Sequence, residues 1–284
     1  MQLTLAANPK SGSGATAPDT VADALRRTGA TVEQIELGQL SEPLPAGTER
    51  LVVAGGDGSI GSAAAAAREA GLPLAVIPVG TANDFARALD LPTDLHDACT
   101  LAAEPDARVR RVDIATFDGV PYVNAAAAGL SAQANKLATP LKPKLGALAY
   151  AAGALRAGLT SPALPCRVLC DGTECWDGKI WQVVVAATGA FGGGSEIGNT
   201  EVDDGLLDVA VVPAGSRIGL VRRAWGMRLG TLTDQADVSH HRCREVIVEL
   251  TDGSRFNVDG EQREGGRPAT RFGLLPGGVR VIVK

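Results

Sequence analysis

The sequence predicts a two-part chain, in which an α/β domain with a parallel sheet is followed by an antiparallel β domain. The first part alternates short apolar runs with helix-forming stretches, a pattern typical of parallel sheets with right-handed crossovers. From Val112 onward, short β-like runs alternate instead with turn signals. The chain has 284 residues, 45% of them hydrophobic, which is enough to build a substantial core.

The elements of the α/β part follow from local patterns. Strands are predicted at 3–7, 31–37, 51–54 and 74–77, and helices at 18–28, 60–70 and 85–89. Pro18 opens the first helix and Gly29 closes it, while Gly71 closes the second. The third strand runs into a glycine-rich segment, which allows a sharp turn before the second helix.

Three loops that contain glycine, at 8–14, 55–59 and 78–84, each follow one of these strands. Ligands of parallel sheets bind beyond the carboxyl ends of the strands, so the three loops are expected to meet at one edge. A strand, a glycine turn and a helix start bring backbone N–H groups close to a phosphate. The spacing of the loops therefore favours a phosphate-bearing ligand.

Polar side chains in the first two loops suit a nucleotide. Asn8 can hydrogen-bond to backbone or nucleotide, and Lys10 and Ser11 can meet phosphate. Asp57 lies in the glycine turn, where it either holds a metal ion that screens phosphate charge or makes an Asx-type turn. Both interpretations of Asp57 are open at the level of sequence.

The third loop carries a hydroxyl, an amide and a carboxylate near a helix start, from Thr81, Asn83 and Asp84. These groups either contact an anionic ligand or cap the helix. Neither a P-loop nor a dinucleotide-binding glycine fingerprint occurs in the sequence. The ordinary P-loop and dinucleotide-binding enzymes are therefore disfavoured.

Net charge and the lack of targeting signals further limit the class of protein and its location. The net charge of −5 gives no sign of a general nucleic-acid binder. Residues 1–10 lack a basic start followed by a long apolar stretch. The most apolar candidate for a membrane span, 145–159, is short and is interrupted by Arg156. A cytoplasmic chain is expected.

The cysteine pattern predicts free thiols, because the count of five is odd and no secretion signal is present. Cys166, Cys170 and Cys175 cluster, and a His-His-Arg-Cys segment follows at 240–243. A zinc site is conceivable there, but the spacings match no usual ligand pair. Cys170 and Cys175 flank a predicted Asp-Gly hairpin turn and are expected simply to face each other across it.

The second part of the chain reads as an antiparallel β domain with one mainly helical segment at 145–159. Strands are predicted at 112–117, 167–170, 181–187, 206–212, 245–250 and 255–258. Asp-Gly turns are predicted at 171–172, 177–178 and 252–253.

Several segments resemble the diacylglycerol kinase catalytic-domain family, which includes bacterial diacylglycerol kinases and sphingosine and ceramide kinases. The segments 8–12 (NPKSG), 55–59 (GGDGS) and 78–86 (PVGTANDFA) are similar to its three nucleotide-side motifs. The second motif alone would also fit NAD kinases, which share the fold. The segments 191–194 (FGGG), 202–209 (VDDGLLDV) and 257–261 (NVDGE) are similar to motifs of its second domain.

The resemblance implies an architecture for nearly the whole chain. An N-terminal Rossmann-like α/β nucleotide-binding domain would comprise 1–115 and about 273–284. An antiparallel β-sandwich domain for the lipid substrate would comprise 116–272. The active site would lie in the cleft between the two domains.

The resemblance also implies roles for particular residues. Glu261 would be the general base that takes the proton from a lipid hydroxyl, where the alternative is a solvated turn carboxylate. Asp57 would be the second catalytic group, and Asp84 and Asp113 would complete an acidic, water-linked network. The alternative for Asp113 is a strand-edge residue that pairs with an arginine. The implied nucleotide-binding residues are Asn8, Pro9, Lys10, Ser11, Gly12, Gly55, Gly56, Asp57, Gly58, Ser59, Gly80, Thr81 and Asn83.

A magnesium site is implied in the acidic segment 202–209. Asp204 would be its carboxylate ligand, and main-chain carbonyls near Glu201 and Leu206 would complete the shell. A short loop with carboxylates and carbonyls suits a hard cation. Asp203 or Asp208 could replace Asp204 as the ligand, or the loop could be an acidic turn without metal.

The implied function is an ATP-dependent lipid kinase that uses Mg²⁺ and phosphorylates a lipid hydroxyl, with diacylglycerol as the first acceptor and phosphatidic acid as the product. The alternatives are a kinase of phosphatidylglycerol or a sphingoid lipid, an NAD kinase-like small-molecule kinase, and a non-catalytic nucleotide-binding regulator. The apolar segments 125–130 and 145–159 either line an acyl-chain groove or pack in the core. The lysines at 136, 142 and 144 predict peripheral contact with the inner membrane surface. The sequence leaves open whether the chain forms a homodimer.

Overall fold

The chain folds into two compact units, as a computed structural model shows. The first unit comprises Met1–Ile114, Pro121–Val123 and Leu275–Lys284, and the second comprises Ala115–Val120 and Asn124–Leu274. The structure describes residues 1–8, 17–138, 156–190, 196–198, 200–217, 219–250, 255–275 and 278–284. In the described part of the chain, no helix has the length and apolar character needed to cross a membrane.

The first unit is built on a sheet whose strands come from both ends of the chain. Its strands are β1 (Gln2–Ala7), β2 (Thr31–Glu36), β3 (Arg50–Gly55), β4 (Leu74–Pro78), β5 (Arg108–Val112) and, at the C-terminus, β17 (Val279–Val283). They lie in the order β2-β1-β3-β4-β17-β5. Its helices are α1 (Pro18–Arg27), α2 (Asp57–Glu69), α3 (Asp84–Ala88) and α4 (Leu95–Ala103), with a 3₁₀ turn at Leu37–Ser41.

The core of this sheet is parallel. β1 pairs in parallel with β2 and β3, and β3 pairs in parallel with β4. β5 adds an antiparallel edge beside β17. All six residues of β3 are buried, which explains why the run 51–55 that follows Arg50 is apolar throughout and does not alternate. Side chains of α1 and α4, such as Leu25 and Cys99, pack with Leu5 and Ile282 in one hydrophobic cluster.

The second unit is an antiparallel sheet that folds into a sandwich. The strands of this sheet are β6 (Ala115–Phe117), β7 (Val120–Tyr122), β8 (Ala125–Gly129), β9 (Leu164–Cys170), β10 (Thr173–Ala186), β11 (Leu207–Pro213), β12 (Ser239–Cys243), β13 (Val246–Leu250), β14 (Arg255–Val258), β15 (Glu261–Glu264) and β16 (Thr270–Leu274). Two residues of β7, Pro121 and Tyr122, belong to the first unit. The order is β15-β14-β8-β10-β9-β13-β16-β6-β7, with β11 beside β10 and β12 beside β11. Its helices include α5 (Leu130–Ala138) and α6 (Gly219–Arg228).

Two groups of buried side chains among the described residues contribute to the core of the second unit. The rings of Phe117, Phe256 and Phe272 meet edge to face, with centroids 5.2 to 5.6 Å apart. A second cluster contains Trp181 and Leu232, together with buried residues of β8, β10 and β11. The segment 125–130, considered as a groove lining, contributes β8, whose five residues are all buried within the sheet. The predicted fold class, an α/β domain followed by an antiparallel β-sandwich, is confirmed.

Some elements differ from their prediction. Helix α2 begins at Asp57 rather than at residue 60, so the glycine turn already belongs to the helix start. The predicted turn at 177–178 is wrong, because both residues lie inside the long strand β10 and pair with β9. The predicted strand 112–117 is divided between β5 and β6. The turn at 252–253 and the part of the helical segment up to residue 155 lie outside the described residues.

The prediction of free thiols is wrong for one pair of cysteines. Cys170 and Cys175 face each other across a turn, as expected, but their sulfurs form a disulfide. The turn residues Asp171 and Gly172 both have positive φ, of 49° and 79°, as a tight two-residue hairpin turn requires. The other three cysteines are free and buried; they are Cys99, Cys166 and Cys243.

Candidate active site

The glycine loops lie at one edge of the parallel sheet. In the sheet register, Ala7 pairs with Ala54 and Gly55 pairs with Pro78, so β1, β3 and β4 end side by side. Asn8, the first residue after β1, is exposed at this edge. The other predicted residues of the first loop, Pro9, Lys10, Ser11 and Gly12, lie outside the described residues.

The second and third loops touch through two glycines. A methyl group on Gly80 would lie 2.6 Å from Cα of Gly56, so neither loop could approach as closely with a side chain at that point. The N–H of Val79 donates to the carbonyl of Gly55 at 3.1 Å and ties the same turn to the end of β4. Gly56, Gly58 and Ser59 are only half-buried. Backbone N–H groups at the start of α2 are therefore close to solvent, where an anion can reach them.

Asp57 joins the two loops. Its side chain is 8% exposed, and it accepts the N–H of Phe85 at 2.9 Å and that of Asp84 at 3.2 Å. These are the first N–H groups of α3, so Asp57 caps a helix that begins 27 residues further along the chain. The local Asx-type turn considered from sequence is not what this carboxylate makes.

The polar residues of the third loop do not cap α3 with their side chains. Asn83 has a φ of 52° and binds back to Gly80, donating to its carbonyl at 2.9 Å and accepting its N–H at 3.0 Å. The capping expected of Thr81, Asn83 or Asp84 is thus performed by Asp57 instead. Asp84 is buried and pairs with Arg87, while Gly80 and Thr81 are exposed.

Glu261 is held on a rigid hairpin in the second unit. Val258 of β14 pairs with Glu261 of β15, and the two residues between them, Asp259 and Gly260, have φ of 46° and 87°. Such positive values at both positions define a tight two-residue turn. The side chain of Glu261 is 62% exposed, and its nearest cation is Arg263 at 3.6 Å. The carboxylate is therefore available to a substrate, on a backbone whose position is fixed.

A buried network anchors this hairpin. Asp259 accepts the N–H of Asn124 at 2.9 Å and that of Ala125 at 3.2 Å, and its own N–H donates to the carbonyl of Ala125. The side-chain oxygen of Asn124 accepts the hydroxyl of Thr188 at 2.8 Å. Sequence reasoning missed Asn124 and Thr188. No local pattern marks them, because their partners lie more than sixty residues away in the chain.

Asp113 is half-buried and directly follows β5, with β17 between that strand and β4. Its membership of an acidic network with Asp84 stays a prediction. The catalytic role of Glu261 likewise stays a prediction.

The acidic segment 201–208 suits a hard cation. Asp204 accepts the N–H of Leu206 at 2.9 Å and pairs with Arg242, while Glu201 is exposed. Asp208 is 1% exposed; one of its carboxylate oxygens meets Nε2 of His240 at 2.6 Å, and the other has no hydrogen-bond partner among the described residues. Two carboxylates and a buried oxygen without a partner fit Mg²⁺. Arg242, which sequence reasoning did not single out, is the cation that neutralises Asp204 in this structure.

Solved structures give the class to which this fold belongs. A diacylglycerol kinase from Bacillus anthracis str. Sterne matches 100% of this chain and 97% of its own, with a TM-score of 0.77 and 24% identity. An NAD kinase from Archaeoglobus fulgidus, solved in complex with ATP, matches 99% of this chain and 93% of its own, with a TM-score of 0.55 and 14% identity. The fold is that of the diacylglycerol kinase and NAD kinase structures.

Sequence comparisons give the family. The diacylglycerol kinase catalytic domain matches residues 2–117, and the YegS C-terminal NAD kinase beta sandwich-like domain matches residues 124–283. A YegS-like lipid kinase of Pseudomonas syringae pv. syringae (strain B728a) is 34% identical over 85% of this chain and 78% of its own length. A diacylglycerol kinase of Mycobacterium tuberculosis is 29% identical over 92% of this chain and 88% of its own length. The chain belongs to the diacylglycerol kinase catalytic-domain family, with the YegS-type C-terminal domain, and is a lipid kinase.

Proposed function

We propose that this kinase transfers the γ-phosphate of ATP to the hydroxyl group of diacylglycerol and forms phosphatidic acid. The observation that carries the nucleotide half of the proposal is the contact between Gly56 and Gly80. It leaves a surface without side chains at the start of α2, beside the exposed Gly80 and Thr81. ATP as the donor is further supported by the NAD kinase structure of this fold, which was solved with ATP. Diacylglycerol as the acceptor is supported by the names of the relatives.

In this proposal the first unit binds and orients the nucleotide. The backbone N–H of Gly58 faces the phosphates, because the N–H of Ser59 already donates to the carbonyl of Gly56 at 2.9 Å. The family resemblance assigns Asn8, Lys10 and Ser11 of the first loop to the same nucleotide. Asp57 holds the second and third loops together, so that the phosphates meet a fixed set of donors rather than a mobile one. Magnesium, when bound with ATP, neutralises phosphate charge, and Asp84 and Asp113 lie on the acidic side that would orient its water shell.

The second unit supplies the base. The lipid hydroxyl oxygen attacks the γ-phosphorus as the bond to the β,γ-bridging oxygen breaks, and ADP leaves with that oxygen. The proton of the hydroxyl passes to the carboxylate of Glu261. The carboxylate is 62% exposed, and its hairpin keeps the geometry of this proton transfer constant.

The test is a phosphate-transfer assay with labelled ATP, Mg²⁺ and vesicles that contain diacylglycerol, phosphatidylglycerol, sphingosine, ceramide or undecaprenol, with NAD as a soluble acceptor. Labelled phosphatidic acid is expected. Glu261→Gln should lower kcat by at least about a hundredfold, as loss of a general base does. Glu264→Gln is the matched control, because Glu264 ends the same strand and is 75% exposed.

The outcomes separate the alternatives. Label on another lipid would replace diacylglycerol as the acceptor but keep the reaction. Label on NAD alone would make the protein a small-molecule kinase. Bound ATP with no transfer to any acceptor would favour a nucleotide-binding regulator. Full activity of a folded Glu261→Gln protein would refute the role of the base.

We also propose that the second unit contacts the membrane surface through α6 and the residue that follows it. Trp225 and Leu229 are 66% and 59% exposed and lie four residues apart, so they share one helix face. The helix contains three arginines and no acidic residue, although Arg222 and Arg223 pair with Asp237 and Arg223 is buried. Exposed Leu159 belongs to a neighbouring segment, because Arg217 bonds the carbonyls of Gly158 and Ser161. Exposed aromatic and aliphatic groups beside arginines are typical of an interfacial helix.

Vesicle pelleting with anionic lipid tests this contact. A Trp225→Ser, Leu229→Ser protein should pellet far less than the parent. Val109→Ser is the control, because Val109 is also an exposed large hydrophobic residue but belongs to the first unit. Equal pelleting of all three proteins would refute this surface. The lysines predicted for the contact are tested separately by changing 136, 142 and 144 to Glu; positions 142 and 144 lie outside the described residues, and the side chain of Lys136 is not described.

We propose a structural magnesium ion at the acidic segment, held by Asp204 with carbonyls near Glu201 and Leu206. Added Mg²⁺ should raise the melting temperature of the parent and of Asp203→Asn, but not that of Asp204→Asn. The same rise in all three proteins would show that the ion binds elsewhere.

A further inference from the structure

The β9–β10 hairpin carries two sulfurs beside an imidazole. Cys170 ends β9, and Cys175 lies at the irregular position of β10, between Glu174 and Trp176. A ring nitrogen of His241 on β12 lies within 4.8 Å of both sulfurs, and all three residues are partly exposed. Among the described residues, these three side chains form the one group of at least three potential metal ligands.

Hydrogen bonds of the side chain and backbone of Asp171 hold the end of β12 against this hairpin. Asp171, in the turn between the two cysteines, accepts the N–H of Arg244 at 3.0 Å and that of Glu245 at 2.9 Å. Its own N–H donates to the carbonyl of Glu245. The end of β12 is thus fixed to the residue that follows Cys170. The fold therefore brings the strand of His241 next to the two sulfurs, and the observed side-chain conformation places a ring nitrogen within 4.8 Å of them.

The donor set is suited to a thiophilic cation. Two thiolates and one imidazole, with water in the fourth position, form a known coordination set for Zn²⁺. The hydroxyl of Ser239 hydrogen-bonds Nε2 of His241 at 2.7 Å, and outer partners of this kind fix the orientation of a ligating ring. The other histidine of this strand, His240, is engaged with Asp208 instead. The three remaining cysteines are buried and do not belong to the group.

The disulfide and the cation exclude each other, because a disulfide sulfur is not a thiolate. A dithiol reductant would supply two electrons and two protons, which converts the Cys170–Cys175 bond to two thiols while the reductant becomes a disulfide. Zn²⁺ would then replace the two thiol protons. We propose that Cys170, Cys175 and His241 form a redox-controlled site that binds one Zn²⁺ in the dithiol form and none in the disulfide form.

The site is tested by titrating Zn²⁺ into the full-length protein without oxygen, in competition with a chromophoric chelator. The reduced parent is expected to bind one ion, and the oxidised parent none. Cys170→Ser, Cys175→Ser and His241→Ala should each weaken binding by more than about tenfold, the scale seen even for loss of an outer partner. Cys166→Ser and Cys243→Ser are matched controls that keep the site and should bind as the parent does.

A second readout covers variants that fold poorly. Co²⁺ added to the reduced parent should give the charge-transfer absorption of thiolate ligands, and oxidation should abolish it. Absence of this absorption, or Zn²⁺ binding that is equal in the oxidised form or in all three ligand variants, would overturn the proposal. The measurement is independent of kinase activity, so failure of the site leaves the proposed reaction untouched.

Discussion

Replacement of Asp57 by alanine should be the most damaging single change to the first unit near the glycine loops. Its carboxylate accepts two N–H groups at the start of α3 and is 8% exposed, so water does not readily replace it. A buried donor that loses its partner costs about 1–3 kcal/mol. Two such donors give a loss of about 2–6 kcal/mol in the free energy of unfolding.

Asp94→Ala is the control for this change. Asp94 also accepts two N–H groups at a helix start, from His96 and Asp97, but it is exposed. Water can bond the freed N–H groups there, so the expected loss is about 1 kcal/mol, the usual value for a helix cap. The two variants therefore break the same number of bonds and differ in burial.

Urea denaturation, followed by circular dichroism, measures both losses. Asp57→Asn keeps one acceptor oxygen and should fall between the parent and Asp57→Ala. If Asp57→Ala destabilised the protein no more than Asp94→Ala, the buried cap would not be the role of Asp57. If Asp57→Asn kept its stability and lost kinase activity, the metal-side role implied by the family would be supported in addition to the cap.

Three further predictions follow from close contacts and charge. Gly80→Ala should cost about 1–3 kcal/mol and weaken ATP binding, because the methyl group would meet Gly56, whereas Gly38→Ala, with open space around it, should do neither; equal effects in calorimetry would contradict the contact. After reduction of the disulfide, alkylation of the native protein at pH 8 should modify the thiols of Cys170 and Cys175. Mass spectrometry should find the other three cysteines unmodified until the protein is denatured. Burial raises the pKa of these others to about 11 for Cys99 and to about 12 for Cys166 and Cys243. Burial also acts to raise the pKa of Asp237, but Arg223, a backbone hydrogen bond and Arg222 outweigh it and hold the pKa below its usual value. This group stabilises the fold above the unfolded value of about 3.9 and loses that effect as the pH falls through its folded pKa. The stability difference between the parent and Asp237→Asn should therefore shrink in acid, and a constant difference down to pH 2 in thermal melts would contradict the ion pairs.

The sequence by itself determined the elements and the family. Largely apolar runs of four or five residues identified β1, β3 and β4, because strands buried on both faces of a parallel sheet need no polar alternation. Glycines marked the turns after β3 and β4, where a side chain cannot fit. The Asp-Gly pair at 171–172 predicted the turn between β9 and β10. These features are local, so they can be predicted from a few consecutive residues.

Only the tertiary structure decided what the polar residues of the loops and hairpins do. The sequence leaves Asp57 either an Asx-type turn or a metal; the structure shows its carboxylate capping α3, and the metal role stays a prediction. Asn124 was not noticed, and yet it anchors the turn before Glu261 from 135 positions away. The sulfurs of Cys170 and Cys175 were placed opposite each other by sequence, but the imidazole of His241 beside them was not. A hydrogen bond or ligand group between distant segments depends on how strands are ordered and paired in the sheet, and this order leaves no mark on the local sequence around either partner.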